Sequence, residues 1–273
     1  MLSRLENWAL ELRRLILKTT HGAGMGHTGG SLSEADILIA LYFEVMQNID
    51  PREAGKPTRD RFILSKGHAS PGYYGALALR GYFPIEELST FDSLGTRLQA
   101  HPDMNKAPGV DISSGSLGQG LSCGIGMALA SKADGTPGGF ATFVLLGDGE
   151  LQEGQVWEAA LYAGARSLPR LIAVIDANDV QLASRTVDAV ALDPLEAKWR
   201  AFGWQCVEVD GHDMARLCAA LHEARATSAR GPVAVIARTV KGKGVSFMEG
   251  RCEWHGKAPN DAEYAAAMKE LAT

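Results

Sequence analysis

No run of apolar residues in this 273-residue chain is long enough to cross a bilayer as a helix. Cysteine is scarce. Cys123, Cys206, Cys218 and Cys252 are scattered and form no Cys-x-x-Cys pair, which argues against a disulfide framework or a cysteine zinc site and fits reduced cytosolic thiols. There is no basic excess: 27 Lys and Arg against 32 Asp and Glu leave a net charge of -5, so neither nucleic acid nor an anionic membrane is implied as a partner. Two nucleotide signatures are missing. No Gly-x-x-x-x-Gly-Lys-Ser/Thr loop occurs, and no Gly-x-Gly-x-x-Gly follows the first strand with a ribose-binding acid. Arg4, Glu6 and Glu11 sit within a helical pattern, which is not that of a signal peptide. Repeats, low-complexity tracts and linkers are also lacking. The residues that remain are 46% hydrophobic, enough for a large core, and the length suits one α/β domain over 1–273.

The informative stretch runs from Phe143 to Asn178. Residues 142–146 form an apolar run of strand length, suited to burial on both faces. Gly147-Asp148-Gly149 is a sharp turn in which glycine permits positive φ and close approach to a ligand. Glu153 to Arg166 has a helical pattern, and residues 171–175 are a second buried strand. This βαβ unit delivers Asp148 and Asn178 to one carboxyl edge, where open parallel sheets bind ligands. A carboxylate and a carboxamide together make the oxygen-only environment that Mg²⁺ favours, with phosphate oxygens completing its shell. The Gly149 N–H and the helix start after it add anion donors. The pair therefore points to a diphosphate held through a divalent ion.

Around this unit the pattern alternates. A helix over 3–20 carries Ser3 and Glu6 as a capping box. His21 to Gly30 holds five glycines and reads as a loop containing His27. Ser31 and Glu34 then match a second capping box before a helix Ala35–Met46. Phe62 to Leu64 is a short strand, Ser65 to His68 the loop after it, and Pro71 suits the first turn of the next helix. The loop Ser113 to Gly120 opens a helix over 121–132, whose Gly124, Gly126 and Ala128 permit close packing. Asp134 to Gly139 reads as a polar turn. Further strands fall at 204–209 and 232–239, with Asp213 capping the helix between them, and a final helix starts near Asp261. The fold class is α/β, a mostly parallel sheet with helices on both faces.

Gly-Asp-Gly followed about 30 residues later by Asn resembles the thiamine diphosphate fingerprint, and further segments resemble the N-terminal, diphosphate-binding domain of transketolase. These are Gly-His27 with its glycines, Leu-Ser-Lys-Gly-His68-Ala-Ser-Pro, Ser-Gly115-Ser-Leu117-Gly-Gln-Gly and Lys241-Gly-Lys-Gly with Trp-His255-Gly. Together they cover nearly the whole chain. The resemblance implies that Asp148, Asn178 and the carbonyl of Val180 ligate Mg²⁺, or Ca²⁺ or Mn²⁺ in its place. It implies that Gly149, His68 and Lys241 contact the cofactor's diphosphate side and that His255 also binds the cofactor. Gly115, Ser116 and Leu117 would touch the thiamine through backbone groups. His27, His101 and His255 would line the channel to the reactive carbon, and Glu153 would reach the partner's pyrimidine-activating carboxylate. The implied reaction moves a two-carbon ketol unit from a ketose (phosphate) to an aldose (phosphate) through a thiamine diphosphate ylid. Histidines suit its proton transfers. His21, His212 and His222 fit no motif and are read as structural.

The family's usual chain is longer. Its pyrimidine-binding and C-terminal domains are therefore expected on a partner polypeptide, in an α2β2 cytoplasmic enzyme active only as a complex. Ala100 before His101 and Gly30 depart from common family residues and touch substrate details. Two rival readings are the α subunit of another thiamine diphosphate enzyme, of the 2-oxo acid dehydrogenase or decarboxylase type, and a non-catalytic cofactor-binding module. A deoxyxylulose phosphate type synthase fits the histidines and the tail less well.

Overall fold

A computed structural model of the chain describes residues 2–133 and 139–272. Four short, mostly apolar runs and one alternating edge segment become the strands β1 Arg61–Leu64, β2 Thr142–Gly147, β3 Leu171–Ala177, β4 Gln205–Asp210 and β5 Val233–Arg238. They pair in parallel throughout, in the order β1-β2-β3-β5-β4. The α-helices among the described residues are α1 Leu2–Ala23, α2 Thr28–Ser33, α3 Ala35–Ala40, α4 Ser70–Arg80, α5 Gln119–Ala133, α6 Gly154–Ala165, α7 Thr186–Ala189, α8 Leu195–Ala201, α9 Met214–Thr227 and α10 Asp261–Glu270.

Strand side chains alternate between faces, so each apolar strand feeds two cores. Phe62, Leu64, Phe143, Leu145, Ile172, Val174 and Val235 pack with α1, α3, α4 and α9. Ile63, Val144, Leu146, Ala173, Ile175 and Ile236 pack with α5, α6 and α8. The sheet with helices on both faces is the expected α/β class. Gly124 of α5 lies where an added Cβ would come within 2.5 Å of Val144 Cγ2, so this glycine brings the helix down onto the sheet. Asp213 caps α9 by accepting from the Arg216 N–H, as its position implied.

Several local expectations need correction. Ser3 cannot cap α1, because the helix already includes Leu2. His21 to Gly30 is not one loop. α1 continues to Ala23 and α2 resumes at Thr28, so only Gly24 to His27 is irregular. Gly29 is helical for a packing reason: a Cβ there would stand 2.7 Å from the Trp254 carbonyl oxygen. Ser31 lies inside α2, where its hydroxyl donates to the carbonyls of His27 and Ala69. Glu34 is buried against Lys66, so the second capping box does not form. The helix expected over Ala35–Met46 is α3 followed by a wider turn at Leu41–Val45. Gly147 and Gly149 do not take positive φ. Gly149 serves close approach instead, since a Cβ there would meet Gln181 Cβ at 3.1 Å, whereas one on Gly147 would meet nothing nearer than 3.5 Å. The expected turn Asp134 to Gly139 falls mainly outside the described residues.

Candidate cofactor site

The parallel register sets Gly147 of β2 opposite Asp176 of β3, so the residues just beyond each strand leave the sheet side by side. Asp148 follows β2 and accepts the N–H groups of Gly149 at 2.8 Å and Asp179 at 2.5 Å. Asn178 follows β3, with its side-chain oxygen accepting from the Val180 N–H at 3.2 Å. Val180 turns its carbonyl to the Lys241 ammonium at 2.9 Å. These three residues open into a cleft of about 510 Å³ at the carboxyl edge of the sheet.

His27, His68 and His255 pack ring to ring, with centroids 4.8 Å, 5.3 Å and 5.1 Å apart. His101 lines the same cleft and lies against Gly115, where an added Cβ would come within 3.0 Å of its ring. The other expected residues that line the cleft are Leu117, Gly149, Glu153 and Lys241. Glu153 is exposed at the rim, at the start of α6. Ser116 is the exception: it is exposed and does not line the cleft.

Burial dominates the electrostatics. It lowers His27, with His101 and Lys241 adding to the effect. It holds His68 well below its ordinary value, helped by Lys66. Burial and then the Lys241 charge bring His255 down to about 3. The three clustered imidazoles are therefore neutral at physiological pH, each with one ring N–H to donate and one ring nitrogen to accept a hydrogen bond. Lys241 is itself depressed to about 8 by burial and by Lys66. Burial and the nearby Asp176 raise Asp148 to about 7.

Part of this site was not singled out from the sequence. Lys66 lies at the floor of the cleft, donating to Asp176 Oδ2 at 2.6 Å and the Gly30 carbonyl at 3.1 Å, with Glu34 Oε2 2.8 Å from its Nζ. Glu150 is buried and accepts from the Ser65 hydroxyl and from the N–H groups of Gly118 and Gly147, tying three loops together. Gln181 and Leu182 complete one wall. A readable signal existed for Asp176, a lone acid inside the apolar run of β3.

The donor set suits a hard divalent cation: one carboxylate, one carboxamide and one carbonyl, all oxygen. The Val180 oxygen accepts from the Lys241 ammonium, so it is turned into the cleft beside Asp148 and Asn178. Neutral imidazoles, Lys241 and the backbone about Gly149 and Gly115 suit an anionic group beside it.

Residues 6–272 match the family model described as transketolase, thiamine diphosphate binding domain. The 6-deoxy-6-sulfo-D-fructose transketolase subunit SqwG of Clostridium sp. (strain MSTE9) is 45% identical over 267 residues, covering 98% of this chain and 96% of that protein. An apulose-4-phosphate transketolase subunit of Actinobacillus succinogenes is 44% identical, covering 98% and 95%. Among solved structures, the transketolase from Leishmania mexicana superposes with a TM-score of 0.92 at 30% identity, over 98% of this chain and 41% of that one. The chain thus spans about two fifths of a single-chain transketolase but nearly the full length of the two relatives named as subunits.

Proposed function

The chain belongs to the transketolase family through its thiamine diphosphate binding domain, and from that premise we propose that it is the diphosphate-binding subunit of a two-subunit transketolase. The reading is a transfer of a two-carbon ketol unit between a ketose (phosphate) donor and an aldose (phosphate) acceptor. One observation carries it: the Asp148, Asn178 and Val180 oxygens share a cleft with three packed neutral histidines.

In this reading Asp148, Asn178 and the Val180 carbonyl hold Mg²⁺, or Ca²⁺ or Mn²⁺ in its place. Gly149, His68 and Lys241 hold the diphosphate, His255 also binds the cofactor, and Gly115, Ser116 and Leu117 touch the thiamine through backbone groups. Thiamine diphosphate supplies a carbon nucleophile and an electron sink. The protein's work is to orient and to move protons. Lys241 donates to His255 Nδ1 at 3.0 Å, which leaves the proton of that neutral ring on Nε2. His255 can then hydrogen-bond a sugar oxygen from Nε2. His27 and His101 take and return the hydroxyl protons of cleavage and addition. Glu153, exposed at the rim, meets a carboxylate from a partner.

The partner in this reading is a chain carrying the pyrimidine-binding and C-terminal domains, in an α2β2 cytoplasmic assembly. The names of the 44–45% identical relatives, both of them subunits, support it. The four cysteines, all unpaired, suit a reducing compartment. The test is calorimetry with thiamine diphosphate and Mg²⁺, followed by reconstitution with the partner. Binding, and ketol transfer only in the reconstituted mixture, is expected. Ketol transfer by the isolated chain, or a preference for NAD or ATP, would sink the reading.

A further inference from the structure

Asn178 presents a carboxamide to the cleft, and only one end of a carboxamide binds a cation. What decides the end lies underneath. Asp176, two residues earlier on β3, is fully buried. Its Oδ2 accepts from Lys66 Nζ at 2.6 Å, from Ser33 Oγ at 2.6 Å and from Asn178 Nδ2 at 3.1 Å. Its Oδ1 accepts from the Thr239 hydroxyl. All four side chains thus donate to Asp176. The other end of the Asn178 amide meets a donor as well, the Val180 N–H. Turning the amide over would set an oxygen against a buried carboxylate and an NH₂ against an N–H. Each mismatch leaves a desolvated polar group without its partner.

We propose that Asp176 is the positioning residue for Asn178: by accepting from Nδ2 it fixes the carboxamide with its oxygen toward the divalent cation. The inference rests on the reading that Asp148 and Asn178 hold that cation. Asp176 touches neither cofactor nor substrate. Lys66 anchors it from the loop after β1, and Glu34 steadies Lys66 from the start of α3. An outer partner of this kind typically contributes ~10- to 100-fold to metal affinity.

The proposal makes the accepting oxygen, rather than the negative charge, the working part. Binding of Mn²⁺ with thiamine diphosphate to the full chain, followed by the electron paramagnetic resonance of free Mn²⁺, separates the two. D176L removes the acceptor while keeping the branching at Cγ and should weaken Mn²⁺ at least ~10-fold. D176N keeps an oxygen facing Lys66, Ser33 and Asn178, and turns its NH₂ toward the Thr239 hydroxyl. It should recover most of the affinity lost in D176L. N178D leaves Asp176 intact but puts carboxylate against carboxylate. It should bind Mn²⁺ more weakly than the natural chain, although a carboxylate is the stronger cation ligand. Melting temperatures accompany each measurement, and N178D decides the matter if both Asp176 variants fail to fold.

D176N binding as weakly as D176L at a native-like melting temperature would overturn the proposal. So would N178D binding Mn²⁺ as tightly as the natural chain. If the natural chain binds no Mn²⁺ and D148A changes nothing, the reading of the metal site fails and takes this inference with it. A D148A loss without the D176N recovery defeats the inference alone.

Discussion

Lys241 Nζ stands 3.0 Å from His255 Nδ1, so a lysine and not a carboxylate selects the tautomer of this histidine. An ammonium can only donate, and the imidazole must accept at Nδ1. The same charge, after burial, keeps the ring from protonating.

Below the titration of Lys241 near 8, the imidazole resonances of His255 should therefore stay flat from about pH 7 to about pH 5, above its value of about 3. In K241M the lysine's charge is gone, and burial, His27 and Lys66 remain to hold the ring down. His255 should then titrate at higher pH. Labelled-histidine NMR on the two proteins checks this, and an unchanged titration in K241M would show that the lysine is not responsible.

Asp148 and Asn178 are expected to act as one site. D148A should weaken Mg²⁺-dependent thiamine diphosphate binding roughly 100-fold, the scale of about 3 kcal/mol for a contact to a charged group. Circular dichroism should show the fold intact. Calorimetry that finds full affinity would remove Asp148 from the metal site.

Glu34 gives a pH signature in stability. Burial raises its carboxyl from 4.5 to about 8, against the opposing pull of Lys66. Between those values the folded chain keeps a proton that the unfolded chain releases, so this group's contribution falls as pH rises through that window. E34Q abolishes this dependence. Its Tm relative to the natural chain should rise from about pH 5 to about pH 8. A constant Tm difference would mean that Glu34 is ionised in the fold.

Two glycines should respond in opposite directions. A Cβ on Gly29 would lie 2.7 Å from the Trp254 carbonyl oxygen and 3.0 Å from Lys241 Cγ. G29A should cost about 1–3 kcal/mol and loosen cofactor binding by displacing the segment that carries His255. Gly126, in the middle of α5, has nothing within 4 Å of an added Cβ. G126A should stabilise the isolated chain by about 0.5–1 kcal/mol, because alanine favours the helix. Thermal melts of both variants, with calorimetry for G29A, test the pair.

The βαβ unit was legible because strands buried on both faces leave long apolar runs, and because Asp148 and Asn178 punctuate their ends. The cleft histidines were legible through their glycine-flanked segments. Lys66, Glu34 and Asp176 escaped because their meaning lies in one another. They meet from three separate elements, and a lysine in a loop or a glutamate at a helix start looks like an ordinary surface or capping residue. Ser31 and Glu34 show the failure directly. Their spacing fits a capping box, but a nearby lysine with buried carbonyls around it outcompeted the local pairing. Gly29 looks like a loop glycine for a similar reason. Its smallness answers a tail segment more than two hundred residues away, which no local window contains.

The contact between the rings of His27 and His255 joins segments more than two hundred residues apart. On the ribosome, then, the vectorial order of synthesis leaves the pocket without one wall until the Trp254-His255-Gly256 segment has cleared the exit tunnel. A nascent chain stalled before that point would carry the central sheet but could not be rescued by supplying vitamin-derived coenzyme.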